Sequence, residues 1–140
     1  MKRLILISGI FLSQFLFAQK IYTKNQVDKE PTFSACNNRI DEQCFSKKLI
    51  SELTKKLSDF LVTLPKGVYK STINFTINED GKFTNYKYSG NKKLGEESVN
   101  ALKIIMLKQE KNKVKVIPAN IKGKAVKMSY SLPVNIKIDA

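Results

Sequence analysis

Any chemistry this chain performs must be done without histidine, because none of its 140 residues is one. That removes the commonest general base near neutral pH and the commonest metal ligand. The carboxylates that stand side by side are Asp41-Glu42, Glu79-Asp80 and Glu96-Glu97. Each pair falls at a turn or a helix start, where caps and solvated turn residues are the ordinary use of acids, not paired-carboxylate catalysis. Ser46-Lys47-Lys48 is the nearest approach to a serine–lysine nucleophile, but it opens a helix and reads as its cap. No Ser-x-x-Lys follows a strand in a convincing context. The six glycines are scattered and form no phosphate-cradling loop. The chain is therefore expected to be non-enzymatic, with no catalytic residue, no metal and no cofactor.

The two cysteines, Cys36 and Cys44, are the remaining reactive groups. Their context comes from the first residues. Met1-Lys2-Arg3 precedes an apolar run over residues 4–18, too short for the roughly twenty residues of a membrane-spanning helix. A secretory signal peptide over residues 1–18, cut after Ala18, is expected, with an uncleaved anchor as the alternative. Export to the periplasm follows, with secretion beyond it as a second destination. In an exported chain an even pair of close cysteines points to a disulfide. Closing so small a ring is worth roughly 2.5 kcal/mol in the chain-entropy model. A metal site or two free thiols are the other readings; two thiolates without histidine leave a tetrahedral site half empty.

Loss of the leader, which carries Lys2 and Arg3, leaves 122 residues and lowers the net charge from +13 to +11. That length suits one modest domain. Three segments are expected: the signal peptide at 1–18, a flexible polar lead at 19–35, and a folded domain at 36–140. Within the domain, Phe45, Leu49, Leu53 and Leu57 make the stripe of an amphipathic helix over 45–62. Alternation over 69–77 predicts a strand, Asp80-Gly81 a tight turn, and 83–88 the return strand. The apolar parity slips between Phe83 and Tyr86, which predicts a β-bulge near Thr84-Asn85. A second helix is expected over 96–109, with Glu96 and Glu97 in its first turn and Val99, Leu102, Ile105 and Met106 inward.

The last strand has the cleanest register. From Val126 to Ile138 every even position is apolar and the odd ones are Lys127, Ser129, Ser131, Pro133, Asn135 and Lys137. The expected fold is α+β: a small antiparallel three-stranded sheet with two helices on one face, covering the even side of this strand.

These pieces resemble a family. Ile73-Asn74-Phe75-Thr76-Ile77, Asn78-Glu79-Asp80-Gly81-Lys82 and Phe83-Thr84-Asn85-Tyr86-Lys87-Tyr88 look like parts of the TonB C-terminal domain. So do Val116-Ile117-Pro118-Ala119, Gly123-Lys124-Ala125-Val126 and Leu132-Pro133-Val134-Asn135-Ile136. The cysteine pair before the first helix resembles the form of this domain common in the Bacteroidetes. The resemblance implies a partner: the TonB box of an outer-membrane transporter, an extended peptide added to the edge of the terminal strand. Here that edge is the backbone of Lys127, Met128, Ser129, Tyr130 and Ser131, while the side chains of the even residues are expected in the core. With no anchor and no long linker expected, and no tryptophan in the chain, holding a guest is the expectation and energy transduction is not.

The basic surplus gives a second reading. Lys47-Lys48, Lys55-Lys56, Lys92-Lys93 and the run over 108–115 suit a solvated face or contact with anionic envelope material. Nucleic acid is not expected for an exported chain. The alternative function is thus a structural envelope protein that binds anionic polymer, or forms a homodimer through the same strand edge.

Overall fold

The computed structural model describes residues 20–36, 43–111 and 115–139. The expected signal peptide, residues 37–42 of the cysteine ring and part of the basic run after the second helix lie outside them. In chain order the elements are β1 (Ile21–Tyr22), a 3-10 turn (Lys24–Gln26), β2 (Thr32–Phe33) and α1 (Cys44–Leu61). Then come β3 (Gly67–Ile77), β4 (Phe83–Gly90) and α2 (Lys92–Lys111). The chain closes with β5 (Val116–Ile117), β6 (Asn120–Ile121), β7 (Lys124–Ala125) and β8 (Lys127–Ile138).

The fold is α+β. Long strands β8, β3 and β4 pair antiparallel, with β3 central, and both helices pack on one face of them. Phe45, Leu49, Leu53 and Leu57 of α1 are buried against Ile73, Phe75, Leu132 and Val134 of the sheet, as the i, i+4 spacing requires. The hairpin turn closes through the Asn78 N–H to the Lys82 carbonyl and the Gly81 N–H to the Asn78 carbonyl. Gly81 has φ 83°, a conformation other residues adopt at a cost. The bulge sits where the parity slipped: Asn74 faces Lys87 and Thr76 faces Thr84, so Asn85 and Tyr86 together oppose Phe75. Asn85 absorbs the kink at φ 55°.

Three expectations are corrected. The sheet is four-stranded and mixed, in the order β1-β8-β3-β4, because Ile21–Tyr22 adds in parallel to β8; two small two-stranded pieces, β2–β5 and β6–β7, accompany it. The lead over 19–35 is not loose where the structure describes it. Phe33 is 3% exposed and meets the Phe45 ring at 4.8 Å, while the N–H groups of Asp28 and Lys29 donate to the Asn120 carbonyl. One buried aromatic ring outweighs the polarity around it. Finally, α2 starts a turn earlier than expected. The Asn91 carboxamide oxygen accepts the Leu94 N–H at 2.9 Å, an N-cap that places Glu96 and Glu97 in the second turn.

Cys36 and Cys44 form a disulfide. It fastens the end of the N-terminal segment to the first turn of α1. The bridge is consistent with export, and no helix among the described residues is long and apolar enough to cross a membrane.

Candidate functional site

Pro133 fixes which backbone groups of β8 face outward. Eleven consecutive residue pairs join β3 to β8, from Gly67 opposite Ile138 to Ile77 opposite Met128, without a register shift. Proline has no N–H to give a ladder, so Pro133 must occupy a position whose N–H would point away from β3. Alternation then turns the backbone groups of Lys127, Ser129, Ser131, Asn135 and Lys137 toward the outer edge. Those of Met128, Tyr130 and Leu132 turn into the ladder with β3.

The chain itself takes the start of this edge. Ile21 stands opposite Lys127 and Tyr22 opposite Met128 in parallel. In a parallel pair a residue bonds the two neighbours of its partner, so Tyr22 draws on Lys127 and on the Ser129 N–H. Of the five residues expected to form an open edge, Lys127 and Met128 are therefore already paired, and Tyr130 offers its backbone to β3. The Ser129 carbonyl and both groups of Ser131 remain. Beyond Tyr22 the chain leaves the edge into the 3-10 turn, and no other described strand pairs with this side of β8.

An open groove of about 460 Å³ lies over the free stretch, lined by Met128–Ser131 together with Lys24, Glu30, Gln43 and Ser46. Its parts come from three places: the segment after β1, the residue before α1, and the first turn of α1. The Ser46 hydroxyl donates to the Gln43 carbonyl at 3.1 Å, so it braces the first turn and Gln43 holds the N-cap position. Lys24 and Glu30 form an exposed ion pair at 3.7 Å on the rim, worth about 0–1 kcal/mol. Tyr130 forms the floor, edge-on to Phe45 at 5.4 Å and tilted against Phe75 at 5.4 Å. Desolvation, with a smaller contribution from the Glu30 carboxylate, holds its phenol above the ordinary pKa, against a hydrogen bond with Ser46. The solvent face is held by the Ser131 hydroxyl, which donates to the Asn74 carboxamide oxygen across the β3–β8 pair.

Lys24, Glu30, Gln43 and Ser46 were not readable as neighbours of this edge. Their only sequence signal is Ile21-Tyr22, two β-formers too few to show a period. Chemically the groove is lined by main-chain donors and acceptors, the hydroxyl-bearing residues Ser46, Ser129, Tyr130 and Ser131, the Gln43 carboxamide and an ion pair. Among the described residues no group of three or more Cys, Asp or Glu side chains is placed to hold a metal ion. Ser98, on α2, has a fully buried hydroxyl with no hydrogen-bond partner among the described residues.

Comparison with family models, with curated proteins and with solved structures gives no match for the chain.

Proposed function

We propose that this domain is a non-enzymatic periplasmic binding module that captures an extended peptide by strand addition to the outer edge of β8. The guest class is a segment such as the terminal box of an outer-membrane transporter. One observation carries the reading: the outward groups of Ser129 and Ser131 face a groove, while the chain shows with Ile21–Tyr22 how a parallel strand seats beside them. The free stretch is short, since Pro133 removes the next outward N–H. Three main-chain hydrogen bonds at about 0.5–1.5 kcal/mol each give weak capture unless side chains add to it. Specificity then rests on Tyr130, Lys24 and Glu30.

Titration of the 15N-labelled protein with transporter N-terminal peptides tests this. Shifts should concentrate at the amides of Ser129, Tyr130 and Ser131 and at Lys24. No shift at residues 127–131 with millimolar peptide would sink the proposal.

A second reading has its own support. Lys47, Lys48, Lys55 and Lys56 are all exposed along the outer face of α1, and among the described residues only Lys55 of the four has an ion-pair partner, Glu52 at 3.8 Å. Such a face suits an anionic envelope polymer. Sedimentation at rising salt separates the readings, because a lysine-driven complex dissociates with salt that strand pairing tolerates.

A further inference from the structure

At the opposite side of the sheet from β8 there is a second concavity, unrelated to strand addition. It lies between the β3–β4 turn, the C-terminal half of α2 and β5, and its volume is about 640 Å³. That is inside the roughly 300–1,000 Å³ range of small-ligand sites. Its walls are apolar: Phe83, Tyr86, Met106, Leu107 and Val116. Leu107 remains 63% exposed on the rim although an apolar residue gains by burial, so the groove presents apolar surface that no described residue covers.

The polar groups of the cavity are unevenly placed. Lys82, Lys103 and Lys115 line it against Asp80 and Glu110, and among the described residues none of the three ammonium groups has an ion-pair partner. Asp80 is already occupied, its carboxylate accepting the Lys82 N–H at 3.0 Å. The Lys103 ammonium lies 5.5 Å from the centre of the Tyr86 ring, poised over the cavity wall. Gln109 also lines the cavity, and its Oε1 is buried with no hydrogen-bond partner among the described residues. A buried acceptor without a donor is costly, by the whole desolvation of that group. A ligand that brings a hydroxyl removes the deficit once the Gln109 side chain turns its carboxamide into the cavity.

We propose that this cavity binds a single-chain amphiphile of the hydroxylated acyl-carboxylate class. The acyl chain lies along Phe83, Met106, Leu107 and Val116. The carboxylate meets the lysines, and the hydroxyl donates to Gln109 Oε1.

Amide shifts of the 15N-labelled protein with 3-hydroxydodecanoate, below its micelle concentration, test the assignment. Saturable shifts are expected at Phe83, Tyr86, Met106, Leu107 and Val116. Dodecanoate, lacking the hydroxyl, should bind several-fold more weakly, and dodecyltrimethylammonium at least ten-fold more weakly. Shortening the chain by two methylenes should cost roughly ten-fold in affinity. Leu107→Glu, at an exposed position that leaves the core alone, should abolish binding with the spectrum still dispersed. Lys103→Glu should reverse the preference between the carboxylate and the ammonium. Gln109→Leu should erase the difference between the hydroxylated and plain carboxylates. Absence of saturable shifts at 1 mM 3-hydroxydodecanoate, equal binding of anion and cation, or a hydroxyl preference that survives Gln109→Leu would each overturn it.

Discussion

Gly95 lies where α2 crosses β4, and a methyl group there would meet the Tyr88 ring carbons at 2.4 and 2.5 Å and its Cβ at 2.9 Å. Two effects oppose each other at this position. Alanine gains about 1 kcal/mol over glycine in a helix interior, whereas overpacking costs about 1–3 kcal/mol. Tyr88 is partly exposed, but its Cβ is fixed by the strand and cannot swing aside, so overpacking wins. Gly95→Ala should lower the denaturant midpoint by the equivalent of about 1–2 kcal/mol, and an unchanged midpoint would show that the helix shifts freely. Nothing in the sequence marked this contact, because Gly95 fell before the expected start of the helix. Tyr86 gives a second test. Burial pushes its phenol from 10.0 up to about 12, so the folded state holds that proton more tightly than the unfolded chain does. The resulting stabilisation is complete below pH 10 and is lost as pH rises through about 12. Tyr86 is only partly buried, so solvent screening reduces its size. The fall in stability from pH 9 to 11.5 should therefore be shallower in Tyr86→Phe than in the parent, measured by denaturant melts across that window.

Among the elements, length and period decided what was legible. α1, β3, β4 and β8 each repeat their pattern over two or more turns or four or more strand residues, and their expected spans agree with the structure to within two or three residues at each end. The bulge was legible too, since a slip of one residue exchanges the two faces of a strand. β1, β2, β5, β6 and β7 are two residues long, and no period can show in two residues. β1 matters most among them, because it lies on the edge assigned to the guest. An attached strand competes at high effective concentration with any peptide from solution. A chain starting at Thr23 should thus bind an edge-directed peptide about five- to ten-fold more tightly, the equivalent of about one net hydrogen bond. The same truncation should speed hydrogen exchange at the Ser129 amide. Unchanged affinity together with faster exchange would mean that the guest docks only beyond β1.

For the molecule as a whole, residues 20–36 wrap across one end of a domain whose centre is α1, α2, β3, β4 and β8. Several ties hold the wrap: β1 on β8, the β2–β5 pair, the Asp28 and Lys29 N–H groups on the Asn120 carbonyl, Phe33 in the core, and the Cys36–Cys44 bond. Only the last was legible from the sequence, through expected export and cysteine count; the others rest on contacts far apart in the chain. The disulfide closes a ring spanning eight positions, and in the chain-entropy model its loss costs roughly 2.5 kcal/mol. A domain of this size holds about 5–15 kcal/mol in all, so that loss is felt without unfolding the protein. Alanine is the right replacement, because Cys36 is 7% exposed beside Phe33 and a serine hydroxyl there would be buried without a partner. The double variant Cys36→Ala, Cys44→Ala should lose about 2–3 kcal/mol, with the loss unevenly distributed. Amide protection should fall first in β1 and β2, freeing the outer edge of β8, while β3 and α2 stay protected. Uniform loss across all strands would instead show that the wrap and the helix–sheet layers unfold as one unit, and that the edge cannot be opened without losing the domain.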